Sequence, residues 1–185
     1  MKNAICYIDS DNSEAKKIQG VIDYLSEDCN LNILSKKAYG DFWSECLKGW
    51  KDTCLEHNII PIFTKNHQGS KNSSDMKLAL DAHTDLLKNA SIDVFVIFSN
   101  DSDYVPITSE IKYYGKEVWI VGHKGYVARS LLQLSNKFID INLSSSDSDV
   151  IKKSNKPVNK RKRSRRNRNK QTKKNDEKNG EKGDE

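Results

Sequence analysis

The stretch that most constrains this chain is residues 93–107, D-V-F-V-I-F-S-N-D-S-D-Y-V-P-I. Residues 94–98 are an unbroken apolar run, too short for a helix core and rich in β-branched and aromatic side chains, which marks a strand buried on both faces. The run stops on charge: Asp101 and Asp103 lie two apart among Ser99, Asn100 and Ser102, and Pro106 marks where a new helix begins. Such a strand belongs to a parallel sheet covered by helices, and ligands of such sheets bind outside the carboxyl ends of the strands. Residues 5–8, I-C-Y-I, repeat the pattern and run into Asp9-Ser10-Asp11-Asn12. Two buried strands that end in carboxylates predict one shared acidic pocket.

The remaining segments supply the other layers. Residues 14–27 carry Ala15, Ile18, Val21, Ile22 and Leu25 at three- and four-residue spacing, the mark of an amphipathic helix, with Ser13 as its cap. Residues 31–39 form a second strand closed by Gly40-Asp41. Residues 42–57 read as a helix with Trp43, Leu47, Trp50, Cys54 and Leu55 inward, and residues 59–64 as a third strand that Pro61 places at an edge. A polar loop over residues 65–74 leads, with Ser73 or Ser74 as cap, into a helix over residues 75–89. Helix 107–114, ended by Gly115, strand 117–121, helix 126–134 and strand 137–143 follow. The alternation predicts a three-layer α/β/α sandwich with a mostly parallel central sheet, Rossmann-like in outline. No glycine-rich nucleotide fingerprint opens any helix.

Helix 75–89 holds an informative acid. At 100° per residue Leu78, Ala79, Ala82 and Leu86 centre on one face with Asp75 in the middle of it, whereas Asp81 falls on the rim. A carboxylate aimed at a core needs a partner. Asp9, Asp75, Asp101 and Asp103 thus converge on one sheet edge, and a hard divalent cation, Mg²⁺ or Mn²⁺, is the usual way to stabilise such a set. For a single acid the plainer role is a turn or helix cap, open to Asp11, Asp101 and Asp103. Trp43 and Trp50 read as core on one helix face in preference to a stacking platform for bases. Cys6, Cys29, Cys46 and Cys54, like the four histidines, lack metal-ligand or nucleophile spacing, and reduced thiols are expected. The string D-S-D-N-S at Asp9 is similar to the nucleophile loop of haloacid-dehalogenase-like phosphatases but departs from it at Ser13.

Several strings together resemble the NYN domain, a PIN-like nuclease family that includes bacterial LabA-like proteins: I-D-S-D-N (8–12), A-Y-G-D-F (38–42), N-I-I-P (58–61), K-N-S-S-D-M-K-L-A-L-D (71–81), F-S-N-D-S-D-Y-V-P-I (98–107) and G-K-E-V (115–118). The resemblance spans about residues 3–143. It implies a metal-dependent ribonuclease in which Asp9, Asp75, Asp101 and Asp103 bind Mg²⁺ or Mn²⁺, with Asn12 and Asp81 at supporting positions and single-stranded RNA as substrate. A non-catalytic RNA- or protein-binding module of the same fold is the alternative. Asn100 stands where the family usually has Gly, and is expected to supply the same left-handed backbone; Tyr104 replaces a Phe.

Charge divides the chain into a domain, residues 1–143, and a tail, residues 144–185. Through Leu143 there are 16 Lys and Arg against 19 Asp and Glu; beyond it the count is 15 against 7. Residues 152–174 hold 13 cations, no acid and one apolar residue, Val158, a composition expected to stay disordered. Lys160, Arg161, Lys162, Arg163, Arg165, Arg166 and Arg168 suit an RNA anchor; a nuclear address would require a eukaryotic host, and no apolar helix face adjoins the run to suit a membrane. No apolar stretch has signal or transmembrane length, so a cytoplasmic protein is expected. The sequence is compatible with a homo-oligomer.

Overall fold

The computed structural model describes residues 1–64 and 72–143. Six strands, β1 (Lys2–Asp9), β2 (Leu31–Gly40), β3 (Ile60–Phe63), β4 (Val94–Phe98), β5 (Glu117–Gly122) and β6 (Lys137–Asp140), form one sheet in the order β3-β2-β1-β4-β5-β6. Every pairing is parallel. The helices are α1 (Ala15–Glu27), α2 (Lys48–Glu56), α3 (Ser73–Lys88), α4 (Val105–Tyr113) and α5 (Arg129–Leu134).

Period-two alternation sorts the core into two layers. Ala4, Cys6 and Ile8 of β1 pack with Val94, Val96 and Phe98 against Ile18, Val21, Ile22 and Leu25 of α1 and Trp50 and Cys54 of α2. Ile5 and Tyr7 pack with Phe95 and Ile97 against Leu78, Ala82 and Leu86 of α3, Ile107 and Ile111 of α4, and Leu131 of α5. Chain order runs outward from β1 to β3, then returns across to β4 and outward again. The strand order therefore reverses between β1 and β4, and the carboxyl ends of these two strands flank the crevice where such sheets bind ligands.

Local differences from the sequence reading have physical causes. Asp41 Oδ1 accepts from Trp43 N at 3.3 Å and Ser44 Oγ from Cys46 N at 3.3 Å, so the chain turns before a 3₁₀ turn (Glu45–Leu47) and enters α2 late. Trp43 and Leu55 consequently face outward, while Phe42 and Trp50 are buried. Ser13 does not cap α1, and Ser73 and Ser74 lie inside α3 after Asn72. Asn100 does not have a positive φ; its side chain instead accepts from His123 N at 2.8 Å. Gly122 permits this, since a Cβ there would meet Asn100 Oδ1 and Val127 Cγ2 at 2.6 Å. Pro61 does lie on an edge strand. Residues 65–71, including most of the polar loop, and the tail with its seven candidate RNA-binding cations lie outside the described residues.

Candidate active site

Asp9 ends β1, and its odd position turns it, with Ile5 and Tyr7, toward the α3 side of the sheet. It is 1% exposed. Its Oδ1 accepts from the backbone N–H groups of Asp11 (3.1 Å) and Asn12 (3.3 Å). Its Oδ2 accepts from Asn12 Nδ2 at 2.6 Å and Ser99 Oγ at 3.1 Å. Ser99 Oγ also accepts from Asp101 N at 3.1 Å, tying the ends of β1 and β4 together. Burial raises the Asp9 carboxyl above its ordinary value; the hydrogen bonds from Asn12, Tyr104 and Ser99 act against that shift.

Tyr104 joins Asp9 to Asp75. Its hydroxyl lies 2.7 Å from Asp75 Oδ1 and 3.1 Å from Asp9 Oδ2. A phenol carries one proton, so it can donate to only one of the two carboxylates at a time. Asp75, in the first turn of α3, is raised by burial and then by the charges of Asp9, Asp101 and Asp103, while the Tyr104 bond lowers it. The structure thus brings all four sequence-selected aspartates to the switch point. Asp101 also plays the plainer role: its Oδ1 accepts from Asp103 N at 3.1 Å and caps the 3₁₀ turn Ser102–Tyr104 that leads into α4.

A further acid, Asp11, lies here although its local sequence is equally that of a turn former. Asp11 is raised by burial and then by the Asp75 charge, and Asp41 adds to the shift. Ser74 Oγ lies 3.5 Å from its Oδ2. The signal was present in the sequence, because Asp9 and Asp11 have the same two-residue spacing as Asp101 and Asp103. Asn12 lies against Asp9, its Nδ2 donating to Oδ2 at 2.6 Å. Asp81 does not join them: its carboxylate accepts from Tyr39 OH at 3.2 Å and pairs with Lys77 at 2.6 Å.

The donor set suits a hard divalent cation, being all oxygen, crowded with like charge, and paired with no Lys, Arg or His among the described residues. Among the described residues no three Asp, Glu, His or Cys side chains already converge on one ion position. Asp9 is held by its own loop, Ser99 and Tyr104, and Asp101 by its cap.

The NYN domain family profile matches residues 3–144. The chain belongs to the NYN domain family. A crystal structure of a protein of unknown function from Vibrio parahaemolyticus superposes with a TM-score of 0.60 at 17% identity, covering 76% of this chain and 93% of that one, and shares its fold. No curated protein matches this chain. Family membership implies a PIN-like nuclease fold. Among the described residues, no helix is long and apolar enough to cross a membrane.

Proposed function

We propose that this NYN protein is a metal-dependent endonuclease acting on single-stranded RNA. The observation that carries the reading is a group of carboxylates at the switch point with no counter-cation among the described residues; one of them, Asp75, lies on the same helix as Asp85, which is paired with Lys37 at 2.6 Å. Asp9, Asp75, Asp101 and Asp103 would hold Mg²⁺ or Mn²⁺, with Asp11 beside them. A bound divalent ion supplies charge that offsets the phosphodiester and makes water a stronger nucleophile. The protein's own contribution is positional: Asn12 and Ser99 fix the Asp9 carboxylate, and Tyr104 holds one proton between Asp9 and Asp75 and sets their separation. No His or Lys stands within hydrogen-bond reach of the four acids among the described residues, so no side chain there is assigned as general base. The basic tail is proposed to anchor RNA, supplying the positive charge that an acidic domain lacks.

A second reading, an RNA- or protein-binding module without catalysis, is favoured by the hydrogen bonds that satisfy Asp9 without an ion. Incubation of the full chain with single-stranded RNA in Mn²⁺, Mg²⁺ or EDTA separates the two. Cleavage that requires the ion and is lost in Asp101→Asn supports the nuclease; full activity in Asp101→Asn overturns it. RNA binding with no divalent-ion binding establishes the module.

A further inference from the structure

Beyond the acidic site, the outer end of the sheet carries an aromatic surface that the reaction does not use. Trp43 is 78% exposed and Phe63, at the end of edge strand β3, is 52% exposed. Their ring centroids lie 5.6 Å apart, and Phe63 is held from behind by the buried Phe42, edge-on at 5.4 Å. Lys51 Nζ sits 5.7 Å from the Trp43 ring centroid. Lys51 and Phe63 also line a cavity of about 300 Å³ whose other walls include Cys54, Leu55 and Pro61. Phe42 thus backs Phe63, and both Trp43 and Phe63 remain exposed.

We propose that Trp43 and Phe63, with Lys51 beside them, form a stacking platform for the bases of single-stranded RNA; this rests on the nuclease reading and extends it to a substrate subsite. Three observations select this occupant. The platform is continuous with the acidic site: Trp43 follows Asp41, which accepts its backbone N–H and whose charge acts on Asp11. Asp41, just past the end of β2, thus links the acids to Trp43. Aromatic faces with a neighbouring cation match a base and its phosphate, and stacking of this kind tolerates any sequence. A protein strand adding to the β3 edge is disfavoured because Pro61, midway along it, offers no N–H.

Trp43 provides its own probe, since Trp50 and Trp119 are only 3% and 8% exposed. The full chain, held in EDTA to prevent cleavage and at high salt to weaken phosphate contacts, is titrated with a short single-stranded RNA. The platform predicts quenching of the solvent-exposed tryptophan emission, loss of that quenching in Trp43→Leu, a Kd raised about tenfold in the same variant, and recovery of most of the affinity in Trp43→Phe. Unchanged emission and unchanged Kd in Trp43→Leu overturn the proposal. A shift in oligomeric state by light scattering with RNA affinity unchanged also overturns it and assigns the face to contact between copies. Quenching by RNA without any Mn²⁺-dependent cleavage keeps the platform and rejects the nuclease, whereas cleavage with a silent Trp43 does the reverse.

Discussion

Three aspartates on helix α3 each receive a tyrosine hydroxyl, yet they have different surroundings. Asp85 takes Tyr7 OH at 2.7 Å and Lys37 at 2.6 Å; Asp81 takes Tyr39 OH at 3.2 Å and Lys77 at 2.6 Å. Asp75 takes Tyr104 OH at 2.7 Å, but its other neighbours are Asp9, Asp101 and Asp103. Two of these acids are neutralised within the fold. The third shares a proton donor with another carboxylate and has no cation among the described residues. Same helix, same residue type and the same kind of phenolic partner leave the missing cation and the crowding by other acids as the difference, which on the proposed reading separates acids that hold the layers together from acids that take a ligand.

The largest expected effect tests that division in catalysis. Asp75→Asn should lower kcat on single-stranded RNA by about a hundredfold or more, the scale of losing one preorganised charge at a reacting centre, while Asp81→Asn should stay within about threefold. Equal losses would erase the distinction. In stability the order reverses. Asp85→Ala strands the buried Tyr7 hydroxyl and deprives Lys37 of its carboxylate, and should cost about 1–3 kcal/mol in denaturant unfolding. Asp75→Ala should cost less, because the Tyr104 hydroxyl retains Asp9 Oδ2 as acceptor.

The pH response should carry the same signature. Asp9, Asp11 and Asp75 all lie above their ordinary value of 3.8 in the folded chain. The unfolded chain therefore releases these protons first, and metal-free stability should fall as pH rises from about 3.8 through the raised values. Thermal unfolding across this range in EDTA checks the slope, which Mn²⁺ and Asp75→Asn should each reduce.

Much of this architecture is legible in sequence because burial is periodic. The double-faced strands, their acidic ends and the inward position of Asp75 follow from spacings of two and 3.6 residues. What was not legible depends on distant partners or on a single turn. Nothing in local spacing pairs Lys37 with Asp85, 48 positions away. Trp43 and Trp50 share a helical spacing of seven, and only the turn at Asp41 and Ser44 puts one outside and the other in the core. The local sequence of Asp11 is equally that of a turn residue, and the Asp75 charge that acts on it arrives from another element.

The smallest expected effect on chemistry comes from residues 144–185. If about six of their cations contact RNA, affinity should fall with salt at a log–log slope near −4, from roughly 0.7 per contact. Deleting the segment should flatten that slope and raise KM while leaving kcat nearly unchanged, since it carries none of the acidic cluster. Steady-state kinetics over a salt series provide the check.

On the proposed reading, the unpaired acids hold a divalent cation and the paired ones do not. Calorimetric titration of Mn²⁺ into the full chain tests it most directly. Saturable binding is expected in the wild type and in Asp81→Asn, and its loss in Asp75→Asn. Binding that survives Asp75→Asn, or is absent from the wild type, would contradict it.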